Sequence, residues 1–212
     1  MVEISVLLPT RGRFQRLHRA IGSLYESALD TARIEVLLRT DDDQPHAATF
    51  FETPRFIELR GPRWGYGAMD RYYNELAAAA QGRLLFVWND DTEMLTPKWD
   101  ELLLTVTEPR VQFIRRDVCQ TADDTFPVVD RRIYEAVGRL SGHCYVDTWL
   151  SHVSRDAGVR YFRNDIVFHH DRLNDQTQSD NVAALRGEHE RFGQLLDERA
   201  KDAAKIRELL SK

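Results

Sequence analysis

The apolar run Leu84–Trp88 leads directly into the polar segment Asn89–Glu93, and this junction constrains the fold more than any other segment of the chain. An unbroken apolar run of this length is typical of a strand that is buried on both faces, as in a parallel sheet. Ligands of open α/β sheets bind outside the carboxyl ends of the strands, so acids at that end face a ligand. Their carboxylate oxygens suit a hard cation, Mg²⁺ or Mn²⁺, that is shared with substrate phosphates. The alternative is a solvated acidic turn after a core strand.

Other apolar runs in the first half of the chain also end in polar or turn-forming residues. Ile4–Leu8 is followed by Pro9–Arg13, and Ile34–Leu38 is followed by Asp41–Asp43. A third run, Phe56–Leu59, ends in the turn-forming sequence Arg-Gly-Pro. Helical patterns separate the runs, and they are carried by Leu17, Ala20, Ile21 and Leu24 and by residues 68–80. This alternation predicts an α/β fold with a mainly parallel, doubly wound sheet flanked by helices.

The second half of the chain is less regular. Its predicted elements are a helix that begins after Thr96-Pro97, strands at Val111–Ile114 and Ile166–Phe168, and helices at Arg131–Val137 and Val146–Ala157. Residues 181–212 carry apolar residues at spacings of three and four, which predicts a C-terminal amphipathic helix. We therefore expect one domain over residues 1–180 and a helical extension over residues 181–212. The extension would pack on the domain or on a partner subunit, and the second arrangement would give a homodimer.

Composition narrows the classes of protein that the chain resembles. Its 212 residues, of which 42% are hydrophobic, suit one domain with a sizeable core. The formal charge of -5 predicts no general attraction to nucleic acid or to an anionic membrane. No apolar run approaches the roughly 18 residues needed to span a bilayer. The two cysteines, Cys119 and Cys144, have no metal-binding or redox spacing, so we expect a reduced, cytoplasmic protein.

The polar segments that follow the strands are expected to converge. Pro9–Arg13, Asp41–Asp43 and Asn89–Glu93 each follow a predicted strand, and His169-His170 follows a later one. A parallel sheet places the carboxyl ends of its strands along one edge, so acids that are distant in sequence can surround one ligand. Such an arrangement suits a nucleotide diphosphate and its metal ion.

With these segments the chain resembles the glycosyltransferases of the GT-A fold, in particular the family 2-like group of small phage and bacterial enzymes. The resemblance covers about residues 3–172 and is carried by Ser5–Arg11, Asp41–Asp43, Gly65-x-Gly67 with Asn74, and Asn89–Asp100. It implies a GT-A-like catalytic domain over residues 1–180. It also implies transfer of a sugar from a nucleotide-diphosphate sugar to an acceptor hydroxyl with inversion, with Mn²⁺ or Mg²⁺ as the cofactor.

The same resemblance implies which residues bind the donor. They are Pro9, Thr10, Arg11, Asp42, Arg71, Asn74 and Asp90. Within the run Asp41–Asp43, we favour Asp42 as the acid that bonds the base or the ribose, whereas Asp90 would contact the ribose or the sugar. The alternatives are a solvated loop for Arg11 and a helix-surface position for Asn74.

The resemblance makes Asp91 the metal ligand, because the family's D-x-D motif places its metal-binding carboxylate last. Asn89 stands where that motif has its first acid, so both Asp90 and Asp91 stay open as the ligand. A second acid-x-acid frame begins at Asp91 and ends at Glu93, which makes Glu93 a lesser candidate.

A histidine and a further carboxylate complete the implied machinery. His170 corresponds to a histidine that joins the metal site in several GT-A enzymes, and strand alternation would turn His169 to the opposite face. Asp147 lies in a segment similar to the one that carries the catalytic base of inverting members. A base is needed because an acceptor hydroxyl is a poor nucleophile until its proton is taken. Asp147 could equally be the N-cap of a helix over residues 148–157.

Acceptor and reaction class leave alternatives. The acceptor would be a saccharide, or, as a minority reading, a hydroxymethylated base in DNA. Binding DNA would require a shared basic face made of Arg115, Arg116, Arg131, Arg132 and Arg139. A sugar-phosphate nucleotidyltransferase would instead carry a G-x-G-x-R stretch after the first strand, where this chain has the single glycine Gly12. A noncatalytic nucleotide-sugar binding module would bind the donor without turning it over.

Overall fold

The computed structural model describes residues 1–46, 55–171 and 185–211. Its central sheet contains the strands β1 (Ile4–Pro9), β2 (Ile34–Asp41), β3 (Phe56–Gly61), β4 (Leu84–Val87), β5 (Thr92–Met94), β6 (Val111–Arg116), β7 (Pro127–Asp130) and β8 (Arg160–His170). The strand order is β3-β2-β1-β4-β7-β6-β8-β5. The helices are α1 (Phe14–Ser27), α2 (Met69–Ala79), α3 (Trp99–Leu104), α4 (Arg131–Val137), α5 (Val146–Ala157), α6 (Glu188–Gln194) and α7 (Leu196–Leu210). This is the α/β class of fold predicted from the sequence.

The first half of the sheet is parallel. Strand β1 lies between β2 and β4, and Leu7 is in register with Leu37 on one side and Val87 on the other. Strand β3 continues the parallel arrangement beyond β2. The carboxyl ends of these strands therefore reach one edge of the sheet, where Pro9, Asp41 and the segment after β4 meet.

Side chains alternate across β1, and each face has its own core. Val6 and Leu8 point to the face covered by α1 and α3. Leu7 points to the opposite face, where residues of α2, α4, α5 and α7 form the second core. Both faces of β1 are buried, which explains why its sequence is almost continuously apolar.

The second half of the sheet is mixed. Strand β7 runs antiparallel to β4 and β6, and β5 runs antiparallel to β8, whereas β6 and β8 are parallel. The sequence predicted neither β5 nor β7, and it predicted β8 only over Ile166–Phe168. Strand β8 in fact begins at Arg160. The prediction missed this start because most residues before Ile166 are exposed, so no apolar run marks them.

The C-terminal extension forms two helices where the sequence predicted one. Helix α6 ends at Gln194, and α7 begins at Leu196. Ala203 and Ile206 of α7 are buried, whereas Leu196 and Leu210 of the same helix are exposed. The predicted boundary at residues 180 and 181 lies outside the described residues.

Contacts within the same chain hold α7 against α4 and α5. The guanidinium of Arg139, in the loop after α4, pairs with Asp202 of α7 at 3.1 Å. The indole Nε1 of Trp149 in α5 also donates to Asp202, at 3.2 Å. Of the two arrangements expected for the extension, the structure thus shows packing on the domain. None of the helices in the described ranges has the length and apolar character that a membrane span requires.

Candidate active site

Asp90 and Asp91 follow β4 at the edge where the parallel strands end. Asp90 is 1% exposed. Its carboxylate accepts a hydrogen bond from the hydroxyl of Thr10 and is bridged by Arg13, whose Nη2 lies 2.6 Å from Oδ1 and whose Nε donates to Oδ2 at 3.1 Å. The loop after β1 therefore supplies both partners of this acid.

The environment of Asp90 makes its ionisation costly. Burial raises the pKa of Asp90 to about 6, although Arg13 and the hydrogen bond from Thr10 both act to lower it. The neighbouring charge of Asp91 adds to the rise. Desolvation thus outweighs a close ion pair at this residue.

Asp91 has a different environment, and it fits the role of metal ligand. Its Oδ1 is buried and makes no hydrogen bond to the part of the chain that the structure describes. The nearest cationic or imidazole nitrogens are His170 Nε2, 3.4 Å from Oδ1, and Arg13 Nη1, 3.7 Å from Oδ2. A buried carboxylate oxygen without a donor, close to an imidazole nitrogen, is a ligand set that Mn²⁺ accepts.

The sheet itself brings His170 to Asp91. Strand β5 follows the acid pair directly, and Thr92 is in register with His170 at the end of β8. The backbone N–H of Asp171 also donates to the carbonyl of Asp91 at 2.9 Å. His169 points elsewhere, as alternation predicts: its Nδ1 lies 2.7 Å from Asp117, which raises the pKa of the imidazole.

A second acidic group lies at the ends of β1 and β2. Nη1 of Arg11 donates to Asp41 at 2.7 Å, and both terminal nitrogens of Arg11 reach Asp43 at 2.6 Å. The guanidinium lowers the pKa of Asp43 to about 2. Asp42, which the sequence analysis favoured, is exposed, whereas its neighbour Asp41 is buried and also accepts from the hydroxyl of Tyr72 at 3.0 Å.

Arg39 and two aromatic residues form a wall beside Asp41. The guanidinium of Arg39 is buried and lies 5.0 Å from the ring centroid of Trp64 and 5.1 Å from that of Tyr72. Its Nε donates to Glu75 at 2.6 Å. The sequence analysis did not single out Arg39 or Tyr72. An arginine directly after the apolar run Ile34–Leu38 is a signal that could have indicated Arg39.

Tyr73 lies beside the segment that carries the acid pair. Its hydroxyl lies 2.9 Å from the carbonyl oxygen of Trp88 and 2.7 Å from Oδ1 of Asn89. Burial raises the pKa of Tyr73 well above its usual value. The charges of Tyr66, Asp147, Asp91 and Asp90 add to this rise. The sequence analysis did not identify this buried phenol next to the acid pair.

Asp147 lies in the first turn of α5 and is not its N-cap. Tyr145 takes the cap position. Oδ1 of Asp147 accepts from the backbone N–H of Thr148 at 2.7 Å. An acid in the first turn suits the positive end of the helix dipole. Asp147 is partly exposed.

Asn74 and Arg71 lie on α2 in different environments. The amide of Asn74 is occupied by the loop that leads to α5: Oδ1 accepts from the N–H of Leu140 at 2.8 Å, and Nδ2 donates to the carbonyl of Ser141 at 2.8 Å. Arg71 is exposed. Asn74 thus anchors the segment before Asp147, and a role for it in donor binding stays a prediction.

A separate group of possible metal ligands lies where that loop meets the C-terminal extension. His143 and Cys144 are buried, and Glu188 of α6 places Oε2 2.9 Å from Nε2 of His143. Burial and the charge of Glu188 raise the pKa of the Cys144 thiol to about 12. Nδ1 of His143 accepts from the N–H of Tyr145 at 3.2 Å, and the thiol of Cys144 donates to Glu188 at 3.9 Å. We interpret this group as a structural contact.

The basic residues considered for DNA binding are largely paired with acids. Arg116 contacts Asp123, Arg132 contacts Asp130 at 2.8 Å, and Arg139 is held by Asp202. These pairs offset the charge that a phosphate backbone would require.

Comparison with known proteins places the fold among glycosyltransferases. No protein-family model matches the chain, and no curated protein does. Among solved structures, a mannosyltransferase from Pyrobaculum calidifontis in complex with GDP-Man and Mn²⁺ has a TM-score of 0.66 at 13% identity, over 99% of this chain and 74% of that one. TarS 1-349 from S. aureus is similar in its complexes with UDP-GlcNAc, at a TM-score of 0.62, 10% identity and 84% of this chain, and with UDP, at 0.59, 12% and 79%.

The match spans about 61% and 60% of those two TarS chains. At these levels of identity the comparison establishes the fold and no more. The α/β architecture expected from the sequence is therefore confirmed as one that glycosyltransferases share.

Proposed function

We propose that the chain is a metal-dependent glycosyltransferase that moves a sugar from a nucleotide-diphosphate sugar to an acceptor hydroxyl, with inversion. One observation carries the proposal: the ends of β1, β2, β4 and β8 bring three contacts to one edge of the sheet, which are Arg11 with Asp41, Thr10 with Asp90, and Asp91 with His170. The fold shared with glycosyltransferases that bind UDP-GlcNAc or GDP-Man supports this reaction class.

The ends of β1 and β2 are proposed to hold the nucleotide. Pro9, Thr10 and Arg11 line the pocket, and Asp41 takes the hydrogen-bonding role toward base or ribose that the sequence assigned to Asp42. The buried position of Asp41 supports this change, because a carboxylate that is already fixed by Arg11 and Tyr72 loses little freedom on binding. Asp90 and Arg71 remain proposed contacts of the donor.

Asp91 and His170 are proposed to hold the metal, Mn²⁺ or Mg²⁺. When bound there, the ion offsets the charge that develops on the leaving diphosphate. The buried Oδ1 of Asp91 and the 3.4 Å separation from Nε2 of His170 support this pair over Asp90, whose carboxylate is occupied by Arg13 and Thr10.

Asp147 is the proposed base. Its carboxylate takes the proton of the acceptor hydroxyl while the hydroxyl oxygen bonds to the anomeric carbon. The bond from that carbon to the diphosphate oxygen breaks, which releases the nucleoside diphosphate and inverts the configuration. A saccharide hydroxyl is the favoured acceptor, because three of the five arginines required for a DNA acceptor are paired with acids.

A donor panel tests the proposal. UDP- and GDP-sugars are presented with Mn²⁺, and nucleotide release and melting temperature are measured. We expect at least one donor to raise the melting temperature in a metal-dependent manner. Asp91→Asn should abolish this rise, and a rise that survives in that variant or in chelator would contradict the metal assignment.

Asp147→Asn separates an enzyme from a binding module. The variant should keep the donor-dependent rise in melting temperature and lose transfer by at least a hundredfold, the usual scale of general-base catalysis. Asp156→Asn, an exposed acid at the other end of α5, is the matched control and should behave as the wild type. Equal turnover by wild type and Asp147→Asn would refute the assignment, and pyrophosphate release from a nucleoside triphosphate would indicate a nucleotidyltransferase.

A further inference from the structure

Arg13 lies between the two acids of the site. It precedes α1 at the N-cap position, and its side chain is 31% exposed. Two of its nitrogens bind the carboxylate of Asp90, at 2.6 and 3.1 Å. A third, Nη1, lies 3.7 Å from Oδ2 of Asp91. One guanidinium thus joins a fully buried acid and the proposed metal ligand.

The bidentate contact fixes the guanidinium in one orientation. Asp90 is itself held by the hydroxyl of Thr10, so acid and arginine are both anchored to the loop after β1. Other arginines of this edge are committed to other acids: Arg11 to Asp41 and Asp43, and Arg16 to Asp171 at 3.8 Å. Arg13 is therefore the arginine placed at Asp91, among the residues that the structure describes.

A fixed, partly exposed guanidinium beside a metal-binding carboxylate suits a doubly charged phosphate ligand. Guanidinium groups bind phosphate oxygens through paired donors, and Arg13 keeps part of its surface exposed while Asp90 orients it. A diphosphate shared with an ion on Asp91 would lie within reach of this group. Without a bound anion, the same positive charge disfavours a cation at Asp91.

We propose that Arg13 is a diphosphate-binding residue of the donor site and that Asp90 fixes its guanidinium at 3.7 Å from Asp91, short of a direct hydrogen bond to that acid. This inference rests on the proposed function and deepens it. In this proposal Asp90 positions Arg13 and does not bind the metal, although it belongs to the acidic motif. Loss of Asp90 would release Arg13 toward Asp91, where it would compete with the metal.

A double-mutant cycle tests this inference. Wild type, Arg13→Gln, Asp90→Asn and the double variant are compared by calorimetry for binding of Mn²⁺ alone, and of UDP and GDP in the presence of Mn²⁺. We expect both variants that lack Arg13 to bind the nucleotide at least tenfold more weakly. Asp90→Asn should bind Mn²⁺ at least tenfold more weakly than the wild type. The Mn²⁺ affinity of the double variant should return to within about threefold of the wild-type value.

Two results would overturn the inference. If the double variant binds the nucleotide as tightly as the wild type, Arg13 is merely the counter-charge of Asp90. If Mn²⁺ binding is not restored in the double variant, Asp90 is itself a ligand. Arg16→Gln, one turn further along α1, is the matched control and should leave both affinities unchanged. Failure of the wild type to bind UDP, GDP or Mn²⁺ would instead refute the proposed function.

The cycle also remains informative if one variant folds poorly. Asp90→Asn and the double variant contain no buried charge without a partner at this position, so they carry the test if Arg13→Gln is unstable. Circular dichroism and melting temperature check the fold of each protein.

Discussion

The ionisation of Asp90 gives the folded protein a pH-dependent weakness that one substitution should remove. Burial raises the pKa of Asp90 to about 6 from the ordinary value of 3.8. Between about pH 3.8 and pH 6, Asp90 therefore keeps its proton in the folded state, whereas the same carboxyl is ionised in the unfolded chain. The stability associated with the protonated carboxyl is complete below pH 3.8 and is lost as the pH rises through 6.

The size of the effect follows from the two pKa values. Their difference is 6 minus 3.8, and each pH unit corresponds to roughly 1.4 kcal/mol, so ionised Asp90 costs about 3 kcal/mol at pH 8. Asp90→Asn cannot ionise. We expect the variant to be more stable than the wild type by about 3 kcal/mol at pH 8 and by less than about 1 kcal/mol at pH 4.

Urea unfolding at pH 4, 6 and 8 measures this difference. The readout is the rise of about 2 kcal/mol between pH 4 and pH 8, since any constant effect of the asparagine cancels. Asp42→Asn, at an exposed position, is the control and should change stability by less than about 0.5 kcal/mol at each pH. A difference between Asp90→Asn and wild type that does not change with pH would refute the reasoning.

Three further predictions concern Phe192, Cys144 and Asn74. Phe192→Ala should cost about 3–5 kcal/mol in urea unfolding, because the ring packs among four aromatic or imidazole rings and under a guanidinium; a loss below about 1 kcal/mol would contradict this packing. Cys144 should resist alkylation at pH 8 in the folded protein, because a thiol pKa of about 12 leaves about one thiolate in ten thousand. Peptide mass spectrometry should find the label on Cys119, which is partly exposed, and rapid labelling of Cys144 would exclude its buried environment. Asn74→Ala should lower kcat at least tenfold with little change in donor affinity, because it frees the loop before Asp147, and a change confined to donor affinity would instead support a direct donor contact.

The parallel half of the fold could be predicted because its strands are buried on both faces. Ile4–Leu8 and Ile34–Leu38 are uninterrupted apolar runs, and no helical period competes with them. Strand β8 could be predicted only in part, because Arg163 is the only buried residue between Arg160 and Asp165 and the segment shows no apolar alternation. Strands such as β5, with three residues, are too short to produce a pattern.

The candidate site was predicted at the level of segments better than at the level of atoms. Adjacent acids are chemically identical in a sequence, and their roles depend on which one the chain turns inward. Asp41 ends β2 and faces Arg11 and Tyr72, whereas Asp42 lies beyond the strand and is exposed. Asp90 and Asp91 both have buried carboxylates but differ in their hydrogen-bond partners, because Thr10 and Arg13 reach Asp90 from a loop that is distant in the sequence.

The contacts of Asp202 with Arg139 and Trp149 make the C-terminal helix part of the packed core of the domain. Shortening the chain before α7 would remove this carboxylate and leave an indole N–H and a guanidinium without their acceptor. The helix that carries Asp147 would lose its outer support at the same time. If Asp147 is the base proposed above, a protein shortened before α7 should still bind donor but turn it over more slowly.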